Sequence, residues 1–497
     1  MGWDIGWKPD GPGSPHPATL FGRVPLDSFF GYRRRRLCGI LPGVLPLLVI
    51  ALISLASWIF LALFRGFFWR TDQRLPAGDG PPPEQWPAVV AVVPARDEAD
   101  VLPDTLPSLL AQDYPGCLSI ILVDDASTDG TGELARELAA RAAAARPEAA
   151  VALTVIGSSE PPAGWTGKLW ALRHGIAAAG APEFLLLTDA DIAHDPSSVR
   201  ELVRAATARR LDLVSQMARL RVNTGWERLI VPSFVYFFAM LYPFRWSNDP
   251  DSRVAAAAGG CSLVRRRALA DAGGLDAIRD AVIDDVALAR VIKKSGGRTW
   301  LGLADHVSSH RPYPRLADLW HMVARTAYAQ LFWSPLLLVG TVLGLGLVFV
   351  APVVATIAGI AAGNVAVAAA GLLAWSVMIT TFGPMLRYYD QPVLSSLALP
   401  FTAALYLAMT MDSARRHRAG RGAAWKGRTY SAPAGKRVGQ GAGQDAGQGV
   451  ETAAQGEGVV RQRADEDPRS GQGHQGDTVP YRGGDRLETG CRPGDQD

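Results

Sequence analysis

The run Leu185-Leu186-Leu187-Thr188-Asp189-Ala190-Asp191 decides the reading of this chain. An apolar stretch of strand length stops abruptly at two carboxylates spaced two apart. A short, uninterrupted leucine run of this kind reads as a strand buried on both faces. In an open α/β sheet, ligands bind beyond the carboxyl ends of the strands. Asp189 and Asp191 therefore stand where a ligand is expected. An Asp-x-Asp pair suits Mg²⁺ or Mn²⁺, because such a cation takes one or two carboxylates and fills its remaining positions with water and diphosphate oxygens. There it offsets charge developing on a departing diphosphate.

Working outward, Ala88–Val93, Leu118–Val123 and Val151–Ile156 repeat the pattern of Phe184–Leu187, and helical segments such as Gly130–Ala145 and Thr166–Ala179 fit between them. This βαβ rhythm predicts an α/β domain over 88–310, with a mainly parallel sheet and helices on both faces. The first strand opens into Pro94-Ala95-Arg96-Asp97-Glu98. The second ends in Asp124-Asp125-Ala126-Ser127-Thr128-Asp129-Gly130-Thr131. Carboxylates at that edge can accept from a base N–H or a ribose hydroxyl, whereas Asp129 reads equally well as a local helix cap.

Gly164-Trp165-Thr166-Gly167-Lys168 places a glycine-flanked lysine at a helix start, a setting that suits a phosphate. Arginine greatly outnumbers lysine in this chain, so Lys168 stands out. The spacing is not that of a Walker loop. Ile283-Asp284-Asp285-Val286 puts two acids in a first helical turn. They either oppose the helix dipole or supply a general base for an acceptor hydroxyl. Gly259-Gly260-Cys261 permits close backbone approach to a ligand. His194, His306 and His310 carry no clear metal spacing; structural roles are the larger expectation for His306 and His310, and an even one for His194.

Together these motifs, in this order, resemble the family 2 glycosyltransferases of the GT-A fold, over roughly Val89 to Tyr328. The similarity is nearest to the hopene-associated branch, itself similar to ceramide glucosyltransferases; Pro243–Pro250 and Trp425–Tyr430 carry that part. The resemblance implies a nucleotide-diphosphate-sugar donor, an inverting hexosyl transfer and a hopanoid or polyprenoid lipid acceptor. It implies donor binding by Pro94, Arg96, Glu98, Asp124, Asp125, Lys168 and Asp189, with Asp125 on the nucleobase and Lys168 on the diphosphate. Asp191, with Asp189, would hold the metal, and Asp285 or its neighbour Asp284 would be the base. Gly259, Gly260 and Arg325 fall on the acceptor or diphosphate side. Arg325 is all that matches the Gln-x-x-Arg-Trp motif of processive relatives, so polymer synthesis is not expected.

The 497 residues are 48% hydrophobic with a net charge of +3, which excludes a general nucleic-acid-binding field. Their apolar content is segregated. Residues 1–36 are expected to be a disordered tail, and 37–64 an uncharged stretch long enough to span a bilayer. Residues 65–87 read as a linker, 311–330 as an amphipathic interface helix and 334–411 as about three further spans, breaking near Gly363–Asn364 and Arg387–Pro392. A basic segment, 412–430, precedes a tail, 431–497, too poor in apolar residues to fold. Trp226–Phe244 reads as a core helix or as one lying on the bilayer. An inner-membrane protein with a cytoplasmic catalytic domain is expected. Two rivals remain at this level. A nucleotidyltransferase lacks support because its glycine-rich phosphate loop is missing after the first strand. A transporter or scaffold lacks support because no span holds an ionisable cluster.

Overall fold

The computed structural model describes residues 26–75, 81–419, 424–425 and 428–429. The tail 431–497 and the first part of the tail 1–36 lie outside the described residues. The chain forms two compact units, Met1–Ile59 with Gly346–Val377, and Phe60–Leu345 with Met378–Asp497.

Helix α1 runs from Leu26 to Phe64, so it begins inside the stretch expected to be a tail. Every proline of that stretch precedes Leu26, so none of them interrupts the helix within it. The larger unit then alternates β1 (Val89–Ala95), α2 (Leu102–Leu110), β2 (Leu118–Asp124), α3 (Thr131–Ala145), β3 (Ala152–Gly157), α4 (Gly167–Ala178) and β4 (Phe184–Thr188). It continues through β5 (Ile192–His194), α5 (Ser198–Ala208), β6 (Leu213–Arg219), α6 (Gly225–Leu241), α7 (Phe244–Asn248), β7 (Cys261–Arg265), α8 (Arg266–Asp271), α9 (Asp284–Lys294) and β8 (Thr299–Ser309).

These form one eight-stranded sheet in the order β3-β2-β1-β4-β7-β6-β8-β5. The half built from the first four strands is parallel throughout, as expected. Beyond β4 the sheet is mixed, because β7 enters antiparallel between β4 and β6. The small-residue segment after Gly260 is thus itself a strand, and its register pairs Thr188 with Cys261.

Side chains of β1 alternate between two cores, as a period of two requires. Val89, Ala91 and Val93 join Leu102, Leu106, Val199 and Leu202 on one face. Val90 and Val92 join Leu169, Leu172, Leu288 and Ile292 on the other. Helix α4 lies so close to β1 that a Cβ on Gly175 would fall 2.3 Å from Val92 Cγ1.

Past the sheet, α10 (Leu316–Gln330), α11 (Pro335–Leu345), α12 (Ala351–Ala361), α13 (Val365–Tyr388) and α14 (Leu399–Arg418) follow. Among the described residues, four helical stretches are long and apolar enough to cross a membrane: Leu45–Phe64, Pro335–Ala361, Val365–Tyr388 and Val393–Arg418. They break at the two places the sequence indicates. The first part of the basic segment is the end of α14, where Arg415 and Arg416 pair with Asp412.

In the smaller unit, Gly346–Val350 forms one π-helical turn. The carbonyls of Leu347 and Val348 accept from Ser54 Oγ at 2.8 Å and Trp58 Nε1 at 2.6 Å. In the larger unit, α6 begins with a Thr224–Glu227 capping box. Its buried Tyr236 packs edge-to-face on Phe382 and shares a hydrogen bond with Thr381 Oγ1 at 2.8 Å, while Ser233 meets Thr402. Trp226 and Leu241 at its two ends are exposed. Helix α6 thus buries one face in the core, as one of the two readings of Trp226–Phe244 expects, and leaves its ends bare. The linker is also partly fixed, with Phe68 and Leu75 buried and Arg74 paired to Asp305 of β8 at 2.8 Å.

Candidate active site

Each acidic motif lies at or beside the carboxyl ends of β1, β2 and β4, and the loops holding them are stitched together. Asp97 N donates to Ser127 Oγ, Thr128 N to Asp97 Oδ1, and Glu98 N to Thr131 Oγ1. Asp129 accepts from Ala99 N and Thr131 N, so it ties the start of α3 to the loop after β1; the N-cap position itself is Gly130. This lattice holds Asp97 (φ 50°) and Ala126 (φ 54°) in the left-handed region, a conformation that non-glycine residues adopt only when their surroundings impose it.

Asp125 is fully buried; its Oδ1 accepts from Ser158 Oγ at 2.6 Å, and Arg96 lies 3.6 Å from Oδ2 while donating to the Asp125 carbonyl at 2.5 Å. Asp124 Oδ1 accepts from Ser127 N at 2.9 Å. Pro94 is a buried residue of β1, in register with Val123. Arg96, Asp124 and Asp125 thus build the walls at the end of the parallel half-sheet, and Pro94 supports them from within the strand.

The second group surrounds a pocket lined by Lys168, Asp189, Gly259, Ser262, Asp284 and Asp285, with Leu172, Leu275 and Leu288 as its apolar side. Lys168 Nζ lies 2.9 Å from Asp189 Oδ1 and 3.2 Å from Asp284 Oδ2. Burial alone would lower the lysine's pKa, but Asp189 and Asp284 outweigh it and hold the ammonium firmly charged. Asp285 accepts from Gly259 N at 2.9 Å and from Val286 N at 2.7 Å. Burial first, and then the adjacent Asp284, push its carboxyl up to about 7, against the pull of Lys168. Burial also raises Asp189, opposed by Lys168 and reinforced by Asp191.

Glycine at 259 matters here: a Cβ would sit 3.1 Å from Lys168 Nζ and 3.5 Å from Asp285 Oδ2. At Gly260 it would meet Ile192 Cδ1 at 3.0 Å. The Gly260 carbonyl accepts from Thr188 Oγ1 at 2.9 Å and Asp189 N at 3.3 Å. Thr188 Oγ1 also lies 2.9 Å from Nε2 of the buried His194, whose Nδ1 meets Ser198 Oγ at 3.0 Å. Burial drives this imidazole's pKa down to about 4, so a neutral His194 fixes the end of β4. His306 pairs with Asp195 at 2.8 Å, and His310 uses its backbone N–H to reach the Asp191 carbonyl.

Asp191 is nearly buried. Its Oδ2 accepts from Ser309 Oγ at 3.2 Å and Arg311 Nε at 2.9 Å. Arg311 Nη2 reaches both oxygens of Glu98, at 2.7 and 2.9 Å. Arg311 opens the stretch read as an interface helix, yet it lies in the loop before α10 and belongs to this site. In an arginine-rich chain nothing marked it; only the place of β8 in the sheet brings it beside Asp191. Arg325, by contrast, is an exposed residue of α10 and does not line the pocket.

Among the described residues, no three His, Cys, Asp or Glu side chains are disposed to hold a metal by themselves. Asp189 and Asp191 nevertheless offer an all-oxygen pair, which fits Mg²⁺ or Mn²⁺ completed by diphosphate and water. The surrounding charge agrees: Glu98, Asp189, Asp191, Asp284 and Asp285 outnumber Lys168 and Arg311. A diphosphate entering alone would meet net repulsion.

The mixed α/β sheet, with acids gathered at its strand ends, has the architecture of the GT-A glycosyltransferases. Residues 87–328 match the family model described as glycosyltransferase like family 2 and constitute a domain of that kind. No curated protein matches the chain. Similar solved structures include a mannosyltransferase from Pyrobaculum calidifontis in complex with GDP-Man and Mn²⁺, at 21% identity and TM-score 0.45, covering 74% of this chain and 98% of that one. Mannosyl-3-phosphoglycerate synthase from Rubrobacter xylanophilus is 17% identical, with TM-score 0.33, over 54% of this chain and 82% of its own. Glucosyl-3-phosphoglycerate synthase from Mycobacterium tuberculosis is 19% identical, with TM-score 0.30, over 49% and 80%.

Proposed function

We propose that the protein transfers a hexose, with inversion, from a nucleotide-diphosphate sugar to a hydroxyl of a lipid-like acceptor of the hopanoid or polyprenoid class. The catalytic domain works at the cytoplasmic face of the inner membrane, where nucleotide sugars are found. The observation that carries the reading is the convergence of Lys168, Asp189, Asp284 and Asp285 on one pocket, with Asp191 completing the Asp-x-Asp pair. The four long apolar helices support a membrane setting, and the partly bare α6 supports an acceptor that arrives from lipid.

Asp189 and Asp191 would hold Mg²⁺ or Mn²⁺, which supplies positive charge for the leaving diphosphate. Lys168 places a fixed ammonium at the same spot, an electrostatic contribution that needs no reorganisation during reaction. Asp125, Asp124 and Arg96 shape the nucleoside end. Asp285 takes the proton of the acceptor hydroxyl onto its carboxylate. Asp285 is favoured over Asp284 because Asp284 is committed to Lys168, whereas Gly259 N and Val286 N orient Asp285 and its basicity is raised toward neutrality. A base near the working pH is the effective one.

The test is turnover by the purified chain with defined nucleotide sugars and extracted membrane lipids, with and without chelator. Transfer to a lipid hydroxyl with inverted anomeric configuration is expected. A retained configuration overturns the mechanism; donor hydrolysis without any lipid product overturns the acceptor class.

A further inference from the structure

Asp191 is not waiting bare for a cation. One guanidinium nitrogen of Arg311, Nε, contacts Asp191 Oδ2 at 2.9 Å, while Nη2 contacts both oxygens of Glu98 at 2.7 and 2.9 Å. Arg311 is about 30% exposed, whereas the side chains of Glu98 and Asp191 are 7% and 12% exposed. The interaction is thus a low-dielectric fork with unequal tines. The tine on Asp191 can leave while both contacts to Glu98 stay. Lys168 does the corresponding work on the other acid of the pair, bridging Asp189 to Asp284. Each carboxylate of the Asp-x-Asp pair therefore has its own resident protein cation.

We infer that Arg311 is a positioning residue that occupies Asp191 until a divalent cation arrives, and that Glu98 retains the guanidinium when Asp191 is handed over. This rests on the reading of Asp189 and Asp191 as the metal-holding pair. Two carboxylates that would otherwise repel across one intervening residue are kept ordered and neutralised without metal. The cation must displace the Arg311 contact to bind, so the free enzyme holds it weakly. Diphosphate oxygens supply the missing ligands, so metal and donor bind with positive linkage. Glu98 is itself fixed on the loop after β1, where its backbone N–H donates to Thr131 Oγ1.

The test is Mn²⁺ binding by the full chain in detergent, followed by electron paramagnetic resonance without nucleotide. Arg311→Gln is expected to bind Mn²⁺ at least tenfold more tightly than the parent, and adding a nucleoside diphosphate is expected to tighten binding less than it does in the parent. Arg311→Lys keeps the charge but replaces the fork by one point, which cannot hold Glu98 and Asp191 together; it is expected to bind Mn²⁺ several-fold more tightly. If Arg311→Gln fails to fold, Arg311→Lys alone decides. Mn²⁺ affinity unchanged or weakened in the folded variants overturns the inference. Asp191→Asn separates the two readings. If it binds Mn²⁺ as well as the parent does, the metal assignment itself fails. If it loses binding while the Arg311 variants show no gain, only the role of Arg311 fails.

Discussion

Nζ of Lys168, at the start of α4, lies 2.9 Å from Oδ1 of Asp189 at the end of β4. The two belong to consecutive βα units of the sheet, and their contact joins the glycine-flanked lysine to the Asp-x-Asp pair. The same ammonium reaches Asp284 at 3.2 Å, so one cation ties three chain segments into one site.

Removal of that cation leaves Asp189 and Asp284 facing one another and deprives the diphosphate of a charged partner. Lys168→Ala is expected to weaken nucleotide-sugar binding by about 1.5–3 kcal/mol, the range for a hydrogen bond to a charged group. Calorimetry with the donor alone checks this, and equal affinity in parent and variant would remove Lys168 from the donor site.

The base assignment makes a pH statement. The carboxyl of Asp285 is pushed up to about 7. Proton abstraction needs its ionised form, so turnover is expected to rise with pH through the neutral range and then level. Asp285→Asn is expected to lower turnover by roughly 10²–10⁴ and to abolish that rise, because a general base contributes on this scale. Asp284→Asn is expected to act instead on donor affinity, through Lys168. A pH–rate profile for both variants decides between the two neighbours.

His306 offers a separate, structural pH dependence. It lies 2.8 Å from Asp195, a contact that raises its pKa against partial burial, with Glu201 and Asp305 adding. A folded pKa raised above the unfolded value near 6.5 stabilises the protein fully below that value. The contribution is lost as pH rises through the folded pKa. The pair is partly exposed, so the gain is about 0.2–1 kcal/mol. Thermal melts should show the parent more stable than His306→Gln at pH 5.5 and equal to it at pH 9; a constant difference would refute the assignment.

Gly175 tests the packing of α4 on the sheet. Its Cβ would fall 2.3 Å from Val92 Cγ1 and 2.9 Å from Val123 Cγ2. Gly175→Ala gains helix propensity of about 1 kcal/mol but forces the helix from β1, an overpacking cost of typically 1–3 kcal/mol. Denaturant titration is expected to show a net loss of stability. Because α4 carries Lys168, donor affinity is expected to fall with it.

Much of this architecture was legible in the chain. The first four strands and the helices between them announced themselves because a strand buried on both faces must be apolar throughout, and because a loop facing a polar ligand must stop that run with acids or glycine. The long apolar helices were legible for the same reason, because their length and apolarity are written directly in the sequence. Other features were decided only by the tertiary structure. The antiparallel entry of β7, Cys261–Arg265, depends on which neighbour completes its hydrogen bonds, and five residues of ordinary composition do not name that neighbour. Helix α6 shows the same limit, since its apolar sequence does not say which face meets protein. Arg311 was invisible among many arginines. Its meaning comes from β8, whose strand neighbours β6 and β5 deliver its end to Asp191 and Glu98. The sequence by itself determined which residues carry charge and where strands end. The fold alone decided which of those charges meet, because a buried ion pair is set by distance in space and burial, neither of which is written in chain spacing.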